Sequence, residues 1–158
     1  MWKPKYQVLT ILLMLAFILA ACGGGSSAMS PEELIAASAT HMNDLAGFEF
    51  GLKYDGEPVI MDADGLTKFT SATGQFNAPD QVSATVKASA ASMVVEIKMI
   101  GTNGLSGGMI DPGTLDIGLW IDAETLDVHR VQVEDATGGT WQLDMWNFGS
   151  TFDIQPPL

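Results

Sequence analysis

The stretch Val82-Ser83-Ala84-Thr85-Val86-Lys87-Ala88-Ser89, followed shortly by Met93-Val94-Val95-Glu96-Ile97-Lys98-Met99, decides the fold. In the first run Val82, Ala84, Val86 and Ala88 alternate with Ser83, Thr85, Lys87 and Ser89. In the second, Met93, Val95, Ile97 and Met99 alternate with Glu96 and Lys98. A period of two sends every second side chain to the same face of a strand, so each run reads as a β-strand with one apolar and one wet face. Such alternation belongs to antiparallel sheets; a strand buried on both faces of a parallel sheet would read as an unbroken apolar run.

The same pattern extends in both directions. Toward the N-terminus, Phe48, Phe50, Leu52 and Tyr54 alternate with Glu49, Gly51 and Lys53 until Asp55-Gly56 ends the run. Asp62-Ala63-Asp64-Gly65 is a turn before a strand from Leu66 to Phe76, and Ala78-Pro79-Asp80 is the next turn. Toward the C-terminus, Asn103-Gly104 and Asp111-Pro112-Gly113 bracket a loop. Leu115, Ile117, Leu119 and Ile121 then alternate with Asp116, Gly118 and Asp122. Asp122–Thr125 turns into a strand at Asp127–Val133, and Thr137-Gly138-Gly139 turns into one at Thr140–Phe148. The spacing predicts about seven strands.

One helix precedes them. Ser30-Pro31-Glu32-Glu33 is a start signal, with Ser30 as the cap, Pro31 at the first helical position and Glu33 closing a capping box. The predicted helix runs to Leu45, before Gly47, and places Leu34, Ala37, His41, Met42 and Leu45 on one face. The expected class is α+β: a curved antiparallel sheet, a half-barrel, packed on an N-terminal helix, with residues 30–158 forming a single domain.

The N-terminus carries a different message. Lys3 and Lys5 precede an apolar run from Val8 to Ala20, which is shorter than the roughly 20 residues that span a bilayer. A basic start, a short apolar stretch and small residues describe a secretory signal peptide, here residues 1–21. Leu19-Ala20-Ala21-Cys22 matches a bacterial lipobox, and Gly23-Gly24-Gly25-Ser26-Ser27 reads as a flexible tether within 22–29. The expectation is lipidation of Cys22 after cleavage, anchoring the chain on the extracytoplasmic face of a membrane. The competing readings are an ordinary signal peptide with an idle cysteine and a retained membrane helix; a tether directly after Cys22 favours the anchor.

Composition limits the partners. The chain's 158 residues carry a net charge of −12, which becomes −14 once Lys3 and Lys5 are removed. Five cations remain (Lys53, Lys68, Lys87, Lys98 and Arg130) against nineteen acids. Such a chain repels phosphate backbones and has no basic patch with interleaved aromatics, so no nucleic-acid partner is expected. Cys22 is the single cysteine, so the domain is expected to be stable without internal disulfides.

The order of lipobox, tether, capped helix and antiparallel strands resembles the LppX/LprAFG family of cell-envelope lipoproteins, whose fold is similar to the LolA/LolB lipoprotein carriers. Ser30–Ala39 with Met42 and Phe48 resembles the family's opening helix and first strand. Gly74-Gln75-Phe76-Asn77-Ala78-Pro79-Asp80-Gln81-Val82 resembles its Gly…Pro-Asp turn, and Leu119-Trp120-Ile121-Asp122-Ala123-Glu124-Thr125 its late strand and turn. Phe148 and the closing Ile154-Gln155-Pro156-Pro157 also fit. The resemblance implies an apolar cavity for acylated lipids or glycolipids, transport or display of lipid in the envelope, and no catalysis. The chain departs from the family in its short middle, where only Gly101–Gly113 separates two strands.

Catalytic signals are weak. His41 and His129 are the only histidines, and neither lies in a metal or triad motif. Asp62-x-Asp64-Gly65 is like the start of a calcium loop but lacks the closing acid. No enzyme activity, metal or cofactor is expected. The candidate lipid-lining residues are the apolar alternates Phe48, Phe50, Val82, Val86, Met93, Val95, Ile97, Met99, Leu115, Ile117, Leu119 and Trp141. The alternative is that they form a solid core against the helix, in an envelope lipoprotein that recognises a protein partner. Trp120 and Trp146 fall out of phase with their apolar neighbours.

Overall fold

The computed structural model describes residues 29–91, 93–101 and 116–155. Cys22, the tether, most of the Gly101–Gly113 loop and Leu115 lie outside the described residues. The chain divides into two compact units between Glu33 and Leu34.

In the first unit the predicted cap is present. The Ser30 backbone N–H donates to Glu33 Oε2 at 2.9 Å and the Glu33 N–H donates to Ser30 Oγ at 3.2 Å. Two of the N–H groups that a helix start leaves without partners are thereby satisfied. The helix α1 that begins here spans Pro31–Asp44.

The second unit carries an open, curved antiparallel sheet of seven strands. They are β1 (Gly47–Asp55), β2 (Thr67–Asn77), β3 (Gln81–Ala90), β4 (Met93–Gly101), β5 (Ile117–Ile121), β6 (Val128–Glu134) and β7 (Thr140–Trp146). Their order across the sheet is β4-β3-β2-β1-β7-β6-β5. Two meanders, β1 to β4 and β5 to β7, are thus joined where β7 pairs with β1, from Glu49↔Trp146 to Asp55↔Thr140. Register shifts interrupt the alternation between Phe69 and Ser71 and between Trp120 and Ile121. Both fall where the apolar period would otherwise drift, and an extra residue restores it.

Helix α1 is tied to the β5–β6 turn. Ser38, 1% exposed, donates its hydroxyl to the Leu126 carbonyl at 2.6 Å. His41 Nε2 lies 2.9 Å from Asp127 Oδ1, and the Val128 N–H points at Met42 Sδ at 3.5 Å. Leu126 has φ 67°, a left-handed conformation that costs a residue with a side chain about 1–2 kcal/mol. Hydrogen bonds on either side hold it there: Leu126 N donates to Asp122 O, the Asp122 carboxylate accepts from the N–H groups of Glu124 and Thr125, and the Asp122 N–H donates to the Asp127 carbonyl. The twist turns the Leu126 carbonyl toward Ser38, where the buried hydrogen bond contributes about 1 kcal/mol.

The far end of the sheet is tied to the C-terminal segment. Asn77 donates Nδ2–H to the Phe152 carbonyl at 2.7 Å and accepts from the Phe152 N–H at 2.9 Å, reproducing a strand pairing with a side chain. The β6–β7 turn is organised by Asp135, whose carboxylate accepts from the Thr137 hydroxyl and N–H, the Gly139 N–H and the Tyr54 hydroxyl.

The Thr137 hydroxyl, then the Tyr54 hydroxyl, stabilise the charged form most and hold the Asp135 carboxyl at about 2, below its ordinary 3.8. A carboxyl with a folded pKa below its unfolded one stabilises the fold above pH 4, and that contribution is lost as the pH falls through about 4 toward 2. The denaturant midpoint should therefore fall over this window in the parent chain and fall less steeply in Asp135→Asn. Equal slopes for the two proteins would show that this turn does not carry the acid dependence.

Candidate functional site: the apolar face of the sheet

Register assigns every strand residue to a face. On one face, cross-strand rows run Met99–Ala84–Gly74–Phe50–Met145 and Ile97–Val86–Ala72–Leu52–Leu143–Val131–Leu119. A third runs Val95–Ala88–Phe69 on one side and Tyr54–Trp141–Val133–Ile117 on the other. The other face takes every Lys, Arg, Asp and Glu of the seven strands. The cations are Lys53, Lys68, Lys87, Lys98 and Arg130, and the carboxylates are Glu49, Asp55, Glu96, Glu134 and Asp144. Lys87 pairs with Glu96 at 3.6 Å, Arg130 bonds Asp144, and Gln75 Nε2–H donates to Glu49 at 3.2 Å. The wet face is thus balanced in charge among the strands, and the excess of acids lies in the turns and the helix.

The candidate residues Phe48, Phe50, Val82, Val86, Met93, Val95, Ile97, Met99, Ile117, Leu119 and Trp141 all fall on the apolar face. Few are buried. The fully buried apolar residues are Ala72, Val86, Ala88 and Met145, in the middle of the sheet. Toward the β4 edge Met93 is 67% and Met99 49% exposed, and toward the β5 edge Ile117 is 47% and Leu119 41% exposed. Phe48, Phe50, Val82 and Trp141 are half-buried. The helix's side-chain bonds go to the β5–β6 turn, and β4 is exposed from Met93 to Ile100. Among the described residues the face is therefore an open apolar surface; a closed cavity needs a second layer above it.

The surface has relief. Small residues Ala84, Ala88 and Ala90 line β3, between the long apolar side chains of β4 and the aromatic residues of β1, β2 and β7. At one end Phe48 packs on Phe76 (5.1 Å between ring centroids) and Phe148 (6.4 Å), and His129 meets Phe148 edge-on at 5.1 Å. At the other, Trp141 packs on Tyr54 (4.6 Å) and Phe69 (5.5 Å). Between them Phe50 lies down over Gly74, where a Cβ would stand 2.5 Å from its Cζ. The floor along β3 is thus low, with aromatic rings at both ends.

Two shallow pockets, of about 280 and about 380 Å³, open instead on the wet face. The first lies beside Trp146, whose ring covers Gly51 and whose Nε1–H donates to Glu49 at 3.0 Å. Trp120 is on the same face, under the Arg130 guanidinium at 5.9 Å. The out-of-phase tryptophans are therefore wet-face residues.

The chemistry of the polar candidates is local. His41 pairs with Asp127 and His129 packs on Phe148, so the two histidines have different partners. The Asp62 carboxylate accepts from the Leu66 N–H, the Thr67 N–H and the Thr67 hydroxyl. It closes its own turn. Among the described residues no group of three or more His, Cys, Asp or Glu side chains is placed to hold a metal ion.

No protein-family profile matches the chain, and no curated protein matches it as a relative.

The low floor depends on position 74. Gly74→Ala would drive its Cβ into the Phe50 ring and the Ser83 carbonyl, and such overpacking costs about 1–3 kcal/mol. Denaturant unfolding should register that loss, whereas an unchanged midpoint would mean that Phe50 lies elsewhere in solution.

Proposed function

We propose that the chain is a membrane-anchored lipoprotein that takes the acyl chains of a lipid onto the apolar face of its sheet. The observation that carries this reading is the collection of exposed Met, Val, Ile and Leu side chains on a face free of every charged strand residue. A contiguous apolar surface left open on a soluble domain marks a binding surface. Each methylene laid against it contributes about 0.8 kcal/mol. Methionine at positions 93 and 99, both exposed, suits ligands of variable shape, because its side chain is unbranched and polarisable. The anchor is read from the lipobox at Leu19–Cys22, and the resemblance to LppX/LprAFG lipoproteins supports the same function. Anchoring keeps the face close to the membrane that supplies the lipid.

A form starting at Gly23, exposed to bacterial membranes and analysed by native mass spectrometry, should carry lipid at a defined stoichiometry. Val86→Asp, which places a carboxylate in the middle of the face, should abolish it. The full chain should incorporate radiolabelled fatty acid and sediment with membranes, and Cys22→Ser should do neither. A protein at its bare mass after membrane exposure would refute lipid binding, and label retained in Cys22→Ser would refute the anchor.

A further inference from the structure

Among the described residues, strand β4 is the last strand on its side of the sheet, and its residues from Met93 to Ile100 are all exposed. It is nine residues long, against five for the opposite edge, β5. A long edge with unpaired N–H and C=O groups is a template for another strand, and soluble proteins usually shorten it or break it with charge. This edge carries apolar residues on both faces. Val95, Ile97 and Met99 lie on the apolar face, and Val94 (72% exposed) and Ile100 (38%) lie on the wet face around Glu96 and Lys98.

These residues are arranged symmetrically about Ile97. If two copies of β4 pair antiparallel with the apolar faces on the same side, residue numbers in each pair must sum to an even value. Centring on Ile97 sets Glu96 opposite Lys98 twice, Val94 opposite Ile100 twice and Val95 opposite Met99 twice, with Ile97 facing its own copy. Shifting the centre to Glu96 brings the two copies of Glu96 together and leaves Lys98 facing Val94. Shifting it to Lys98 brings the two lysines together and leaves Glu96 facing Ile100. Like charges directly opposite in a sheet are destabilising and opposite charges favourable, so one register is selected.

We propose that β4 pairs with β4 of a second copy of this chain, through a two-fold axis at Ile97, with Glu96 opposite Lys98 at both ends. The interface is isologous and closes as a dimer. It joins two seven-stranded sheets edge to edge and makes their apolar faces one continuous surface. The inference does not depend on what that surface binds.

The test uses the full chain in detergent micelles. Ile97→Cys should be linked to its own copy by a short bis-maleimide, because directly paired residues have Cα atoms about 4.5–5.5 Å apart. Val95→Cys alone should not link, its two copies being about 13 Å apart in this register, but it should link when co-expressed with Met99→Cys. The parent chain, with Cys22 alone, gives the background. Glu96→Lys and Lys98→Glu should each weaken the dimer about tenfold, since each change acts at both ends of the axis, and the double reversal should restore it. A parent chain that sediments as a monomer, links between copies of Val95→Cys as readily as of Ile97→Cys, or single reversals that leave the dimer intact would overturn the proposal.

Discussion

A sheet has two faces, and among the described residues of this chain one helix is available to cover either. The structure follows from how that shortage is managed. All charge of the seven strands goes to one face, where Lys87–Glu96, Arg130–Asp144 and the Gln75–Glu49 hydrogen bond link neighbouring strands. The other face carries none of these Lys, Arg, Asp and Glu side chains and is mainly apolar. Burial is complete only along the middle, at Ala72, Val86, Ala88 and Met145. Toward the edges the same face meets solvent, and the hydrophobic free energy that a second layer would capture is not realised among the described residues.

The turns and the helix hold the sheet open in this form. Ser38 and His41 fasten α1 to the β5–β6 turn, Asn77 fastens the C-terminal segment, and Asp135 organises the β6–β7 turn. Each attachment is a polar contact at the sheet's margin. The polar contacts thus fix the frame from its margin.

Much of this was legible in the residues. The alternation at Val82–Ser89 and Met93–Met99 announces strands with one apolar face, because a period of two has no other local explanation. The box at Ser30 and Glu33 is equally local. Strand order was not legible: β1 and β7 pair across about ninety residues, and no nearby residue encodes that choice. Ser38 was missed although it sits at the centre of the helix stripe, between Leu34 and His41, because a serine does not count in an apolar pattern. The bond from its hydroxyl depends on Leu126 adopting φ 67°, which a leucine gives no reason to expect. The candidate lining residues share a face as their spacing predicts, but spacing alone does not tell whether another layer covers that face. Asp62 shows the opposite case, where a calcium-like start is accounted for by the bonds of its own turn to Leu66 and Thr67.

The two faces can be told apart by their tryptophans. Trp141 lies on the apolar face, and Trp120 and Trp146 lie on the wet one. The direct measurement is fluorescence quenching by lipids brominated along the acyl chain, in a protein starting at Gly23 with one of these tryptophans retained and the other two replaced by phenylalanine. If acyl chains lie on the apolar face, Trp141 is quenched in a saturable manner and Trp120 and Trp146 retain their emission. Equal quenching of all three, or none at Trp141, would contradict the assignment of that face to lipid.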